Sequence, residues 1–276
     1  MNQLKIKGTL IALGGGGDDA LLQLIHSSYC HTDSYVEVIT TAAPEPDESG
    51  QAYKDAFREL GLCNAHYLRI DEENEADTPE NLERIRRADV FFFTGGDQRR
   101  IADFLRGTQV LQIMRERYIT DEIVIAGTSA GAVALSDRMI YEGYGSYSLE
   151  KGRTKTSTAL SFIHGVYIDS HFTERGRFGR LAMAVAKWPD YIGVGLGEGT
   201  GVIIREGDQI EAFGVGVVTI IDGSKIISTN LNEVEFGAPV AVENLAMHFL
   251  VEGYRYCLAE RLFQPTHMKA IKEDRT

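Results

Sequence analysis

One stretch in the middle of the chain, Ile123-Val124-Ile125-Ala126-Gly127-Thr128-Ser129-Ala130-Gly131-Ala132, restricts the possible folds more than any other. An apolar, β-branched run that reads as a buried strand over 122–126 passes directly into Gly-x-Ser-x-Gly and then into a small-residue helix over 130–135. The chain has to reverse within a few residues, and Gly127, Ala130 and Gly131 let strand and helix approach without Cβ clashes. The same five-residue pattern occurs in ordinary turns, but the flanking strand and helix favour a nucleophile elbow. Such an elbow leaves the Ser129 hydroxyl exposed, with the N–H of Ala130 at the helix start facing the point where charge develops on an attacked carbonyl. Ser129 is therefore the candidate nucleophile and Ala130 a candidate oxyanion donor.

Around this elbow, strand-like and helix-like segments alternate. Strands are expected at 9–13, 35–40, 65–70 and 90–93. The helices between them carry Ala20, Leu21, Leu22, Leu24 and Ile25 after a cap at Asp18 or Asp19, then cover 49–60, then begin at Pro79 after a Thr78 cap. This is the pattern of a mostly parallel sheet with helices on both faces, and 276 residues suit one α/β domain over 1–276. In such sheets ligands gather at the carboxyl ends of strands, so Thr94-Gly95-Gly96-Asp97-Gln98 and the elbow are predicted to line one crevice. Beyond Gly193 the texture changes to a run of short antiparallel strands, at 201–204, 209–213, 217–221 and 225–227. Asp222-Gly223 is expected to form a hairpin turn and 247–263 one more hairpin about Glu252-Gly253, while 269–276 reads as a frayed end.

Several function classes drop out. Gly14-Gly15-Gly16-Gly17 matches neither Gly-x-x-x-x-Gly-Lys-Ser/Thr nor Gly-x-Gly-x-x-Gly, and Asp18-Asp19 behind it would repel a phosphate. A net charge of −12 disfavours nucleic acid and anionic membrane surfaces. Cys30, Cys63 and Cys257 form no Cys-x-x-Cys pair and read as buried free thiols, so neither a metal nor a cofactor is expected. The first eight residues lack a secretory pattern and no apolar stretch is long enough to span a bilayer, which predicts a cytoplasmic protein.

A serine needs a base, and the base an orienting carboxylate. Of the seven histidines, His26, His31 and His66 read as structural, His164 as a core or strand residue, and His248 and His267 fall in the tail. His171 differs because it lies in Asp169-Ser170-His171-Phe172-Thr173-Glu174-Arg175-Gly176-Arg177-Phe178-Gly179-Arg180, a concentration of ionisable groups that packing does not explain. Phe178, Leu181, Ala182 and Val185 recur at helical spacing, which would turn Arg177 and Arg180 together onto another face. With Arg175 they could bind carboxylates bidentately; the alternative is a solvated basic face. Glu198, in a glycine-rich turn after an apolar strand, is the favoured third member, with Asp169 as local competitor. An α/β-hydrolase order would instead require an acid such as Asp222 and a later histidine such as His248.

The combination of Gly127-Thr128-Ser129-Ala130-Gly131-Ala132, Asp169-x-His171-Phe172-x-x-Arg175-x-Arg177-x-x-Arg180-Leu181 and Glu198-x-Thr200 resembles the cyanophycinase and dipeptidase E (peptidase S51) family over nearly the whole chain. The resemblance implies a flavodoxin-like, class I glutamine amidotransferase-like sheet and a homodimer. The implied activity is that of a serine exopeptidase releasing β-Asp-Arg dipeptides from cyanophycin. It implies Ser129, His171 and Glu198 as the triad, and Gly96 beside Ala130 in the oxyanion hole. Gln98, Asp169, Ser170, Arg175, Arg177 and Arg180 would be the pocket. The chain departs from the family pattern at Ser170, where glutamine is usual, which bears on the substrate more than on the mechanism. The rival readings are an aspartyl dipeptidase acting on short Asp-containing peptides and a noncatalytic binding module on the same sheet.

Overall fold

The computed structural model describes residues 5–265; the first residues of the amino-terminal segment and the expected frayed end at 269–276 lie outside them. Strands β1 (Thr9–Leu13), β2 (Val36–Ile39), β3 (Ala65–Leu68), β4 (Val90–Phe93) and β5 (Val124–Thr128) alternate with α1 (Asp19–Tyr29), α2 (Pro46–Glu59), α3 (Pro79–Arg87), and the consecutive α4 (Gln98–Leu105) and α5 (Gln109–Thr120). The elbow leads into α6 (Ala130–Ala134). A hairpin of β6 (Arg138–Glu142) and β7 (Lys155–Thr158) follows, then β8 (Val166–Asp169), α7 (Phe178–Lys187) and β9 (Ile192–Leu196). The rest comprises β10 (Thr200–Arg205), β11 (Gln209–Gly214), β12 (Val218–Asp222), the two-residue β13 (Ser228–Thr229) and β14 (Val242–Glu243), β15 (Ala246–Leu250), β16 (Arg255–Cys257) and β17 (Leu262–Gln264).

A nine-stranded sheet runs β17-β16-β11-β10-β1-β5-β4-β2-β3. Its half from β1 to β3 is parallel, with Leu13 level with Thr128 and Phe93 with Gly127. From β1 to β17 it is antiparallel. This is the expected mixed α/β fold. Alternate strand residues point to opposite faces, and each face has its cover. Ile11, Leu13, Val36, Val38, Val90 and Phe92 pack under Leu21, Leu22, Ile25 and Phe57 of α1 and α2. Leu10, Ile39, Phe91, Phe93 and Ile125 pack under α3 to α6.

A second sheet, β15-β12-β9-β8, was not foreseen as separate. Its Val166, Ile168, Val194, Val218 and Ile220 join the core beneath α3 to α6, while Tyr167 and Ile221 on its outer face meet Leu181, Ala184 and Val185 of α7. Its existence overturns two local expectations. β12 does not turn at Asp222-Gly223 to pair with 225–227; it lies between β9 and β15, and 225–227 is not strand. The Asp222 carboxylate instead accepts from the N–H and hydroxyl of Ser224 and from Arg261. Nor is 247–263 one hairpin, because β15 pairs with β12 and β16 with β11 and β17. Arg261, in the β16–β17 turn, bonds Asp222 and the Asp190 carbonyl (2.7 Å) and so ties the two sheets together.

Local capping followed the sequence at one helix and departed from it at another. Thr78 Oγ1 accepts from the Asn81 N–H at 3.2 Å, with Pro79 next in line. Asp18 precedes α1 but makes no side-chain cap. Of the three thiols, all free, only Cys257 is buried; Cys63 is exposed and Cys30 half-buried. Among the described residues no helix is long and apolar enough to cross a membrane, and no cluster of three or more metal-ligating side chains occurs.

Candidate active site

Because β4, β5 and β1 are neighbours, the segments leaving their carboxyl ends meet: residues 94–98, the elbow, and residues 14–18. The elbow takes the strained form the motif predicts. Ser129 has φ 51° and ψ −113°, its N–H donates to the Leu13 carbonyl (3.0 Å), and its carbonyl accepts from Val133 (3.1 Å). A Cβ at Gly131 would lie 2.2 Å from the Phe93 carbonyl oxygen, which explains why α6 can press so closely on the sheet.

His171 follows β8 and also has positive φ (44°). Its N–H donates to the Gly14 carbonyl at 2.9 Å, and the next residue, Phe172, is fully buried, with its N–H on the Leu196 carbonyl. The ring spans Ser129 and Glu198: Nε2 lies 2.8 Å from Ser129 Oγ and Nδ1 lies 2.6 Å from Glu198 Oε1. Glu198 follows β9, which runs parallel to β8, so base and acid emerge side by side. The carboxylate contact at Nδ1 places the proton there and leaves Nε2 to accept from the serine hydroxyl, the tautomer a general base requires.

Asp169 does not compete for the base. Its side chain is fully buried and accepts from Nε (2.7 Å) and Nη2 of Arg180, a bidentate pair. Arg180, expected on an open basic face, is 2% exposed and points inward because Asp169 needs a buried countercharge. Asp169 and Arg180 thus present no surface to a ligand. Arg177 does: it gives Nη1 to the Ser170 carbonyl (2.6 Å), to Ser170 Oγ (3.4 Å) and to Asp169 (3.3 Å), while its buried Nε has no partner. Burial, partly offset by Asp169, lowers its guanidinium to about 10, so it stays charged at neutral pH. Arg175 is exposed. Gln98, at the start of α4, donates Nε2 to the Ile140 carbonyl (3.1 Å) and thereby anchors that helix to β6.

The Gly95-Gly96 loop lies against the serine: a Cβ at Gly95 would stand 3.9 Å from Ser129 Oγ, and one at Gly96 would strike the Ala42 carbonyl at 1.9 Å. Among the described residues the other histidines lie elsewhere, and His267 is outside them. His66 stacks on Tyr35, His248 packs at a tilt against Tyr256, and the His164 side chain is 74% exposed instead of being in the core. With Asp222 held by Ser224 and Arg261, the hydrolase-type pairing of Asp222 with His248 finds no support.

The run of glycines at 14–17, which the sequence left without a role, backs the site. A Cβ at Gly15 would lie 2.5 Å from His171 Cε1, and one at Gly16 would lie 2.4 Å from Glu198 Cβ. The Gly15 carbonyl accepts from the Gly199 N–H at 2.7 Å, and the Gly14 N–H donates to Thr200 at 2.9 Å. The only local signal was the glycine run itself, directly after a strand whose carboxyl end faces the crevice.

Comparison with known proteins identifies the family. The family model described as Peptidase family S51 matches residues 10–212. A cyanophycinase from Synechococcus elongatus is 32% identical over 256 residues, covering 91% of this chain and 80% of its own length. One from Geminocystis herdmanii is 30% identical over 255 residues, covering 91% and 94%. The crystal structure of a peptidase from an acI-B1 Actinobacterium superposes with a TM-score of 0.61 at 21% identity, covering 92% of this chain and 98% of that one, a likeness of fold.

Proposed function

The chain belongs to peptidase family S51 and is a serine-type hydrolase, and on that premise we propose that it is an exopeptidase that cleaves cyanophycin to β-Asp-Arg dipeptides through an acyl-enzyme. The observation that carries the mechanism is the continuous relay from Ser129 Oγ through the His171 ring to Glu198. His171 Nε2 takes the hydroxyl proton as Oγ attacks the scissile carbonyl, and then returns it to the departing amine. Glu198 stabilises the imidazolium in between, and the Gly96 and Ala130 amides hold the oxyanion. Water then repeats the sequence to free the acyl group. The exposed Arg175, with the partly exposed guanidinium of Arg177, supplies the cationic recognition of a substrate carboxylate. Arg180 and Asp169 serve that arginine from behind.

Ser129→Ala is expected to lower kcat by at least about 10⁴-fold while substrate still binds. Hydrolysis persisting in that variant defeats the assignment. A second reading, an aspartyl dipeptidase for short Asp-containing peptides, draws on Ser170, a short side chain where the family pattern usually has glutamine. Mass spectrometry of products from insoluble cyanophycin and from Asp-Xaa dipeptides separates the two. We also take residues 1–276 as one domain acting as a cytoplasmic homodimer, for which sedimentation at graded concentration is the check.

A further inference from the structure

We propose that Asp18 is a positioning residue that keeps the nucleophile elbow in register with its base, an assignment that rests on Ser129 being the nucleophile. Asp18 stands where an N-cap would, yet it forgoes the capping bond to α1. Its two oxygens go elsewhere. Oδ1 accepts from Thr128 Oγ1 at 2.6 Å, and Oδ2 accepts from the hydroxyl of Tyr53 on α2. Thr128 is 3% exposed and immediately precedes Ser129. Burial, and then the Asp18 charge, push the Tyr53 phenol far above its ordinary range, so it remains a donor at any working pH.

These bonds close a ring. From Ser129 the chain steps back to Thr128, across to Asp18, and along residues 17–14. There the Gly14 carbonyl holds the His171 N–H and Gly15 packs on its ring, and Nε2 returns to Ser129 Oγ. The same segment touches Glu198 at Gly16. Ser129 and His171 both occupy positive-φ conformations, which persist only when surrounding contacts over-determine them. The Thr128–Asp18 bond, charge-assisted and part-buried, is the side-chain link in this ring outside the serine–histidine pair itself, and so the one that a substitution can cut without altering the backbone or the reacting groups.

The test reads Ser129 reactivity with a fluorophosphonate probe alongside steady-state kinetics. Thr128→Val, which keeps shape and loses the hydroxyl, is expected to slow labelling and lower kcat about tenfold with KM within about twofold, and Thr128→Ser is expected to restore both. Asp18→Ala should be at least as slow, and adding Thr128→Val to it should cost nothing further, because both cut the same link. If Asp18→Ala fails to fold, the Val and Ser pair decides alone. Wild-type labelling in Thr128→Val, or penalties that multiply in the double variant, overturns the clamp. An unlabelled wild type, or turnover surviving in Ser129→Ala, overturns the nucleophile beneath it instead, and that result is read independently.

Discussion

A single methyl group at position 15 would occupy the space of the imidazole at 171. Gly15 has φ +94°, and its Cβ would lie 2.5 Å from Cε1 and 2.8 Å from Nε2 of His171. Gly61 has nearly the same backbone conformation, φ +96°, but open space around it. Gly15→Ala is therefore expected to lower kcat about 10²-fold, the usual consequence of displacing a catalytic group by an ångström. Gly61→Ala should cost only about 1 to 2 kcal/mol of stability for the left-handed backbone. Comparing kcat with urea midpoints for the two distinguishes a displaced base from simple backbone strain. At this scale the sequence was legible where chemistry is local: the elbow announces Ser129, and the charged cluster draws attention to His171. It was opaque where a residue matters because of what lies beyond its missing side chain. Nothing near Gly15 or Gly16 says that an imidazole and a carboxylate from 156 or more positions later (171 − 15) will fill that space.

Among elements, α7 shows how an amphipathic pattern can mislead. Its apolar stripe was correctly placed, but the expected pairing of Arg177 with Arg180 on one carboxylate-binding face is split: Arg180 turns into the core to neutralise Asp169 at the end of β8, and Arg177, just before the helix, keeps only 11% of its side chain exposed. Removing the two arginines should have different consequences. Arg180→Met strands a buried carboxylate and is expected to cost about 3–5 kcal/mol, visible in chemical denaturation before any kinetic effect is read. Arg177→Met should cost less, about 1 to 2 kcal/mol, and instead raise KM about tenfold or more with kcat less affected. Equal losses of stability in the two variants would remove the distinction. Element identity was otherwise well signalled for β1, β4 and α3, whose strands and cap lie where periodicity and Thr78-Pro79 put them. Partner choice was not: β12 and β15 look like arms of local hairpins, yet they pair with each other, and β12 with β9 on its other side, because alternation reports a strand's faces and not its neighbours.

For the molecule as a whole, the two sheets share one core and are joined at the far end by Arg261, whose guanidinium reaches from the β16–β17 turn to Asp222 at the end of β12. Asp222 is 4% exposed, so losing that partner leaves its buried carboxylate with Ser224 alone to donate to it. Arg261→Ala is expected to lower stability by about 2 kcal/mol, with kcat close to that of the parent, since the link lies outside the relay. A drop in kcat without a change in urea midpoint would contradict this placement. The arrangement of strands has a consequence for a chain still being made. Ser129 and His171 leave the ribosome before Glu198, and β1, synthesised first, waits for β10 (Thr200–Arg205) to cover its second edge. A nascent polypeptide short of that point holds a hydroxyl and an imidazole with no carboxylate to orient them, so under the proposed relay hydrolytic competence arrives only with the strand that completes the scaffold.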